Sequence, residues 1–253
     1  MVASVAAVDR TVISAIAHTD HPVAAPVCVD EVRRLVGHLD PPRGGNVVDL
    51  GCGWGIWLLE LLAARPDLTG VGVDVSLPDG LPERAEGFGV ADRVTWVQAD
   101  ASDWDGGAFD AVLCVGASHA FGGLSQTLDG VRRVLRPGGR VLLGDATWES
   151  DPSPAALEAL GASPDDFLTL GGLVDRARAA GFEPTRGHVS TLAEWDDYEW
   201  SWTGSLATWA LEPGRDPADA AEALTAARTH RDQWLKGYRG VLGFVTLVLH
   251  DVR

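Results

Sequence analysis

The sequence predicts an α/β fold built on a mainly parallel β-sheet, and three observations support this prediction. Short apolar runs rich in valine alternate with longer segments of helical periodicity from residue 46 onward. Few polar residues interrupt these runs, which is typical of strands buried on both faces of a parallel sheet. A length of 253 residues can bury a sizeable core without division into separate domains. We therefore expect residues 1–253 to form a single domain.

Five of the apolar runs are predicted strands, and two of the segments between them are predicted helices. The strands are expected at residues 46–50, 69–74, 94–98, 109–116 and 140–144. Apolar residues recur at three- and four-residue spacing in segments 54–64 and 124–135, which predicts a helix in each. The turn formed by Pro137, Gly138 and Gly139 is expected to stop the second helix.

Further regions are predicted on either side of these elements. A helical segment is expected up to residue 40, and a connecting segment occupies residues 149–181. Residues 194–238 are rich in tryptophan and predict a helical insert. The apolar stretch 243–252 predicts the last strand, with a partner strand near residues 185–192.

The charge of the chain argues against nucleic acid as a partner. The formal net charge is −16, and Lys236 is the single lysine. Such a chain would repel a phosphate backbone and offers no lysine-rich patch for counterion release. No apolar stretch approaches the length of a transmembrane span, so no membrane partner is expected either.

The N-terminus and the cysteines bear on compartment and metal content. Asp9 and Arg10 interrupt the apolar N-terminal run, so no signal peptide is predicted and the protein is expected to be cytoplasmic. Cys28, Cys52 and Cys114 have unrelated spacings and form no CxxC motif. We therefore predict neither a disulfide framework nor a metal site.

A glycine-rich turn after the first strand is the most informative motif. Residues 47–55 read Val-Val-Asp-Leu-Gly-Cys-Gly-Trp-Gly, and the glycines allow positive φ and close approach of a ligand. A nicotinamide fingerprint would place glycine or alanine at position 56, where this chain has Ile56. The stretch closely resembles motif I of class I S-adenosylmethionine-dependent methyltransferases. A tight turn without a ligand is the simpler alternative.

The resemblance extends over residues 45–145 and implies both a topology and a cofactor. It implies a Rossmann-like sheet of seven mostly parallel strands in the order 3-2-1-4-5-7-6, flanked by helices. It also implies that residues 45–192 form a core that binds S-adenosylmethionine and releases S-adenosylhomocysteine. By the same resemblance, residues 1–40 would be a lid, and residues 194–238 could cap the acceptor.

The resemblance assigns cofactor contacts to the ends of the strands. Asp49 would order the loop or reach the amino group of the cofactor, and Asp74 could accept both ribose hydroxyls. Asp100 resembles the position whose side chain takes the adenine amino group. Taken alone, each aspartate would more often be a helix cap or a solvated loop residue. The predicted cofactor-binding set is Asp49, Gly51, Gly53, Gly55, Asp74, Val75, Asp100, Ala101 and Gly116.

His119 is the candidate general base. Methyl transfer requires an acceptor atom aligned with the methyl group and exclusion of water, and a base is optional. Residues after the fourth strand face the ligand in such sheets, and segment 116–123 contains His119. A neutral imidazole accepts a proton near neutrality, although His119 could instead hydrogen-bond the backbone or shape the pocket. This segment and residues 144–148 resemble bacterial small-molecule methyltransferases.

The candidate acceptor contacts come from several regions of the chain, and alternatives stay open for them. They are His18, His119, Trp148, Tyr198 and Trp202. His18 and His21 are three residues apart, but no carboxylate motif supports a metal, and surface or capping roles compete with a lid role. The insert could roof an acceptor pocket; equally, its tryptophans at seven-residue spacing, Trp195, Trp202 and Trp209, could form one buried stripe with the acids on the solvated face.

The leading hypothesis is methyl transfer to oxygen, nitrogen or carbon of a small-molecule acceptor. Aminopropyl transfer or another non-methyl use of the cofactor, a cofactor-binding regulator, and a nicotinamide oxidoreductase are the alternatives. A single lysine beside abundant alanine, glycine and arginine indicates a GC-rich bacterial source, where tailoring of specialised metabolites would be expected. The sequence does not determine an oligomeric state.

Overall fold

The computed structural model describes Ile13 and residues 16–253, which separate into two compact units. The sheet unit comprises Cys28–Glu149, Asp165–Ser190 and Gly243–Arg253. The helical unit comprises the described residues up to Val27 together with Ser150–Pro164 and Thr191–Leu242. In the described part of the chain, no helix has both the length and the apolar character needed to cross a membrane.

The sheet has the predicted strand order. Its strands are β1 (Asn46–Leu50), β2 (Thr69–Asp74), β3 (Val94–Gln98), β4 (Phe109–Val115), β5 (Leu135–Trp148), β6 (Leu168–Thr169), β7 (Phe182–Val189) and β8 (Leu242–Asp251). The main path runs β3-β2-β1-β4-β5-β8-β7, and β6 pairs with β5. The first five strands pair in parallel, whereas β7 and β8 are antiparallel. The predicted order is confirmed once the two-residue β6, which the sequence did not indicate, is set apart.

The boundaries of two predicted strands are wrong. The fifth strand was expected at 140–144 after a Pro-Gly-Gly turn, but the helix ends at Val134 and β5 begins at Leu135. The register shifts between Phe109, opposite Leu135, and Ala111, opposite Arg140, so the Pro-Gly-Gly residues lie in an irregularity of the strand. The partner strand expected near 185–192 begins at Phe182, because Gly181 already turns the chain with φ 81°.

The helices fall into the same two units. The sheet unit carries α1 (Val29–Leu39), α2 (Ile56–Ala64), α3 (Leu81–Gly87), α4 (Ser118–Phe121), α5 (Leu124–Val134) and α7 (Leu170–Ala179). The helical unit carries α6 (Pro154–Leu160), α8 (Leu192–Leu211), α9 (Pro217–Gln233) and a π-helical turn at Trp234–Tyr238.

The core of the sheet unit follows from the apolar runs of its strands. Val48 of β1, Val112 of β4 and Val141 of β5 are fully buried, as expected for central strands covered on both faces. β-branched side chains pack well on such a pleated surface. Helix α5 contributes Leu128 and Val131 to the same cluster. A rigid central sheet therefore supports the loops at the carboxyl ends of its strands.

The helical unit is held by capped helices with small contact residues. Thr191 and Glu194 form a capping box that begins α8, and the Asp216 side chain caps α9. Buried residues on facing helices are small or aliphatic, which permits close packing; they are Ala17, Leu206, Ala210, Ala223 and Ala227.

Helix α8 carries the three tryptophans that the sequence places at seven-residue spacing. Trp195, Trp202 and Trp209 are all half-buried, whereas the fully buried positions include Glu199, Thr203 and Leu206. The expectation that the acids of this helix face solvent is wrong for Glu199, which is 2% exposed. The carboxylate of Glu199 can be buried because the side chains of His230 and Tyr238 donate hydrogen bonds to it.

Candidate active site

The glycine-rich loop connects β1 to α2 and requires glycine at three places. Gly51, Gly53 and Gly55 have φ values of 77°, 49° and 72°, in the left-handed region that L-residues avoid. The backbone N–H groups of Gly51 and Cys52 both donate to the carbonyl oxygen of Val73, at 2.8 and 3.0 Å. The loop is thereby fastened to β2 before it enters α2.

The three glycines have different surroundings. A Cβ built on Gly51 would lie 2.4 Å from the Cβ of Ala117, and one built on Gly55 would lie 2.5 Å from Cη2 of Trp96. A Cβ built on Gly53 would have no described atom within 4 Å. Gly51 and Gly55 are therefore needed for packing within the protein, and Gly53 presents the open side of the loop.

Two carboxylates lie at the carboxyl ends of β1 and β2. The Oδ2 atom of Asp49 is buried and has no hydrogen-bond partner among the described residues, and the residue is 2% exposed. Burial, together with the charge of Asp74, raises the pKa of Asp49 to about 7. The carboxylate of Asp74 accepts hydrogen bonds from the N–H of Gly53 at 2.9 Å and of Ser76 at 3.1 Å.

This pair of carboxylates fits the amino end of S-adenosylmethionine. A buried carboxylate oxygen without a donor is costly, and a ligand ammonium group would supply both the donor and the compensating charge. Within the described residues no group of three or more potential metal ligands is found.

The remaining predicted cofactor residues also lie at strand ends. Asp100 is exposed after β3 and accepts from the N–H and Oγ–H of Ser102, bonds that lower the pKa of Asp100. Ala101 is buried, whereas Val75 exposes 60% of its surface at the end of β2. Gly116 follows β4 with φ 74° and donates to the carbonyl of Gly144 at 2.9 Å. The carboxyl edge of β1 to β4 thus gathers all nine predicted positions.

His119 is carried by the short helix α4, whose start is anchored to β5. The Ser118 hydroxyl donates to Oδ1 of Asp145 at 2.6 Å, and the N–H of Ala146 donates to the same oxygen at 2.9 Å. Burial raises the pKa of Asp145, and the bonds from Ser118 and Ala146 and the nearby charge of His119 oppose this. Asp145 is not among the predicted site residues; a carboxylate inside an otherwise apolar strand is the signal by which it could have been found.

A cleft of about 470 Å³ opens beside His119 within the sheet unit. Its wall includes His119, Ser125 and Arg176 as well as Asp165 and Phe167. Such a volume accommodates a small organic molecule, and both signs of charge are available in its wall. The exposed imidazole of His119 is therefore accessible to a ligand in this cleft.

The predicted acceptor contacts are divided between the two units. In the sheet unit, Trp148 is 7% exposed and packs edge to face on Phe167 with ring centroids 5.1 Å apart. In the helical unit, Nε2 of His18 lies 3.1 Å from the hydroxyl of Tyr198. Trp202 stacks instead on His230, at 3.9 Å between ring centroids. The structure thus brings His18 and Tyr198 together and places Trp202 in a different aromatic pair.

A polar triad around the buried Glu199 in the helical unit was missed by sequence reasoning. Oε1 of Glu199 accepts from the hydroxyl of Tyr238 at 2.6 Å, and its Oε2 lies 2.7 Å from Nε2 of His230. Burial and the charge of Glu199 raise the pKa of Tyr238, which keeps the phenol protonated as a donor. Glu199 is 31 and 39 residues away from His230 and Tyr238, and the three form no motif, so the folded chain is needed to reveal them.

Comparison with known proteins is consistent with this site. Residues 47–139 match the methyltransferase domain family. The chain is 31% identical over 212 residues to the uncharacterized protein YjhP of Escherichia coli strain K12, covering 82% of this chain and 85% of that protein. It is 30% identical over 235 residues to nocamycin O-methyltransferase of Saccharothrix syringae, covering 78% and 83% of the two chains.

A solved structure extends the similarity to a bound ligand. The S-adenosylmethionine-dependent methyltransferase of Geobacter sulfurreducens, in complex with S-adenosylhomocysteine, has a TM-score of 0.83 and 27% identity, covering 96% of this chain and 98% of that chain. Fold, glycine-rich loop and acidic strand ends therefore define a nucleoside-cofactor methyltransferase. The chain belongs to the class I S-adenosylmethionine-dependent methyltransferases. The predicted family and cofactor are confirmed, as is methyl transfer to a small-molecule acceptor.

Proposed function

We propose that this enzyme methylates a hydroxyl oxygen of a small-molecule metabolite. The observation that carries the cofactor part of the proposal is the buried, unpartnered Oδ2 of Asp49 beside the glycine-rich loop, which needs a cationic ligand group. The choice of oxygen over nitrogen or carbon is supported by the similarity to nocamycin O-methyltransferase, whose name states its chemistry.

The cofactor would be held by the carboxyl edge of the sheet. Asp49 binds the amino group, and Asp74 accepts the ribose hydroxyls with oxygens that already order the loop. Asp100 would take the adenine amino group, Ala101 would add a backbone contact, and the exposed Val75 would offer an apolar contact to the nucleoside. The loop glycines would line the methionyl part, and Gly116, which follows β4, would face the methyl group; the loop set is Gly51, Gly53 and Gly55.

The catalytic role falls to His119. S-adenosylmethionine supplies an electrophilic methyl group on its sulfonium sulfur, and the protein aligns the acceptor and removes its proton. We propose that the imidazole of His119, which lines the cleft, accepts the proton that the acceptor hydroxyl loses. Asp145 acts through Ser118: their hydrogen bond fixes the start of α4 and hence the position of the imidazole.

The acceptor would be recognised by aromatic and imidazole side chains. Within the sheet unit we propose a contact from Trp148 in addition to His119; the roles of His18, Tyr198 and Trp202 in the helical unit stay predictions. Aromatic rings with polar edges suit an acceptor that presents a flat apolar surface and hydroxyl groups. We further propose that the enzyme acts in the bacterial cytoplasm, apart from nucleic acid, which its net charge of −16 would repel.

A labelled-methyl assay tests this function. Purified protein is incubated with S-adenosylmethionine carrying a deuterated methyl group and with paired acceptors that differ only in a hydroxyl or an amine. We expect label on the hydroxyl compounds, with S-adenosylhomocysteine as co-product. Transfer to amines alone would overturn O-methylation, and cofactor binding without transfer to any hydroxyl acceptor would overturn the proposed activity.

A pair of histidine variants tests the base. His119→Asn should lower kcat/KM on hydroxyl acceptors by about 10²-fold or more while S-adenosylhomocysteine still binds. His38→Asn is the matched control, because His38 lies exposed on α1 of the same unit. Equal activity of the two variants would remove His119 from the mechanism.

A further inference from the structure

Trp96 lies at the centre of β3, and its side chain packs against the glycine-rich loop. In the sheet register Trp96 stands opposite Gly72 of β2. A Cβ built on Gly72 would lie 2.5 Å from Cε3 and from Cζ3 of the indole, so the ring covers this glycine. A Cβ built on Gly55 would lie 2.5 Å from Cη2 of the same ring. The indole therefore reaches from the middle of β2 to the residue that begins α2.

The fit of the ring depends on small neighbours. Real Cβ atoms do not approach other heavy atoms to 2.5 Å, so alanine at Gly55 or Gly72 could not coexist with the indole in this position. The Sγ atom of Cys52, a residue of the loop itself, would lie 3.0 Å from a Cβ on Gly72. Loop, strand and indole thus form one closely packed group.

The two ends of the loop are held by different means. Its first half is bonded to β2, since Gly51 and Cys52 donate to Val73 and Gly53 donates to Asp74. Its last residue, Gly55, precedes α2 without any side-chain cap. The helix itself begins with Ile56, so the place of Gly55 decides where α2 starts. The N–H of Gly55 donates to the carbonyl oxygen of Cys52 at 2.7 Å within the loop, and the indole of Trp96 contacts Gly55 from the β3 side.

We propose that Trp96 is a positioning residue of the cofactor site: its indole holds Gly55 and the start of α2 so that the open side of Gly53 receives the cofactor. Trp96 acts through the loop and needs no contact with the cofactor. Displacement of a binding element by about 1 Å is sufficient to weaken a site severely, which gives this support functional weight.

The affinity for S-adenosylhomocysteine tests the proposal without any acceptor. Titration calorimetry is performed on wild type, Trp96→Ala and Trp96→Phe at a temperature where each is folded, as shown by its unfolding transition. We expect the Kd to rise about 10-fold or more in Trp96→Ala, because the cavity frees Gly55. Trp96→Phe keeps an aromatic ring against the glycines and should remain within about threefold of wild type.

A double-mutant cycle with Gly72 separates loop support from general destabilisation. Gly72→Ala should weaken binding on its own, because the new methyl group displaces the indole. In the Trp96→Ala background the same change meets no ring and only the Sγ of Cys52 at 3.0 Å, so its effect on Kd should be smaller than in wild type. Should Trp96→Ala fail to fold, the cycle is run with Trp96→Phe, where the clash is reduced.

Phe109→Leu provides the matched control for lost aromatic packing. Phe109 is buried at the amino end of β4, at the opposite edge of the sheet from the loop. This variant should lose stability and keep wild-type affinity. The proposal is overturned if folded Trp96→Ala binds like wild type, if Phe109→Leu loses as much affinity, or if Gly72→Ala costs the same in both backgrounds. If the affinities change as expected but no hydroxyl compound is methylated, the proposed O-methylation is refuted and the role of Trp96 is not.

Discussion

Replacing Asp49 by asparagine should stabilise the free protein at pH 8 and at the same time weaken its affinity for S-adenosylhomocysteine. The folded chain holds the Asp49 carboxyl in a buried site beside Asp74, which raises its pKa from 3.8 to about 7. Above pH 7 the native state therefore carries an ionised group that the unfolded chain would solvate better. Asparagine is of similar size and carries no charge.

The magnitude follows from the shift in pKa. Each pKa unit corresponds to about 1.4 kcal/mol, so the ionised carboxylate costs at most about 4 kcal/mol of unfolding free energy. The buried amide of asparagine also requires a partner, at a cost of about 1–2 kcal/mol. We therefore expect Asp49→Asn to gain about 1–3 kcal/mol at pH 8.

The sign of the pH dependence is specific. As the pH falls below about 7, native Asp49 takes up a proton while the unfolded chain remains ionised down to about pH 4. The penalty in wild type therefore declines across this window, and the advantage of the variant disappears with it. Urea unfolding of both proteins at pH 8, 6 and 4.5 measures the difference.

Binding should change in the opposite direction. Loss of a charge-assisted hydrogen bond to the ligand amino group should raise the Kd for S-adenosylhomocysteine by about 10- to 100-fold. Asp74→Asn is the matched control: both Asp74 oxygens accept backbone N–H groups, so the loss of one acceptor offsets the relief of Asp49 from the charge of Asp74. This variant should lose affinity without a net gain in stability. A constant stability difference at all pH values, or wild-type affinity in Asp49→Asn, would refute the reasoning.

Three further predictions follow from the same geometry. The wild-type affinity for S-adenosylhomocysteine should rise about tenfold from pH 6 to pH 8, because Asp49 must release its proton to bind the ligand amino group. Titration calorimetry in two buffers of different ionisation enthalpy measures the affinity and the proton release. The same pH dependence in Asp49→Asn would contradict this prediction. Gly51→Ala should cost more than about 2 kcal/mol of unfolding free energy, because the new methyl group contacts Ala117 and the residue keeps a positive φ. Gly53→Ala should cost about 1–2 kcal/mol, because only the positive φ opposes it. Equal costs in urea unfolding would contradict the difference in packing. Tyr238→Phe should cost about 1–3 kcal/mol in urea unfolding by removing a donor from buried Glu199, and the loss should be smaller in a Glu199→Gln background; additive losses would exclude the hydrogen bond as the cause.

The strand and loop of the motif could be predicted because their causes are local. Near-continuous apolar runs indicate buried strands wherever they occur, and positive φ at positions 51, 53 and 55 requires glycine whatever surrounds it. The predicted start of a strand is wrong where a local turn signal competes with strand pairing. Pro137, Gly138 and Gly139 have the composition of a turn, yet pairing with β4 draws them into β5 as an irregularity.

The roles within the site were decided by contacts between distant residues. The motif gives no reason to distinguish the three loop glycines. In the folded chain Ala117, after β4, packs against Gly51, and Trp96 of β3 packs against Gly55. Gly53 has no such neighbour and stays open. The need of Asp49 for a ligand became evident only from the absence of a donor around it in the described chain.

The class of fold, the cofactor-binding motif and the order of the acidic strand ends could all be predicted from the sequence, because each depends on residues adjacent in the chain. Which polar groups are buried together depends instead on contacts that form when the chain folds. Glu199 has its partners 31 and 39 residues away, at His230 and Tyr238. A charge on a tryptophan-rich helix is expected to face water, and its burial becomes favourable only when folding brings two donors to its oxygens.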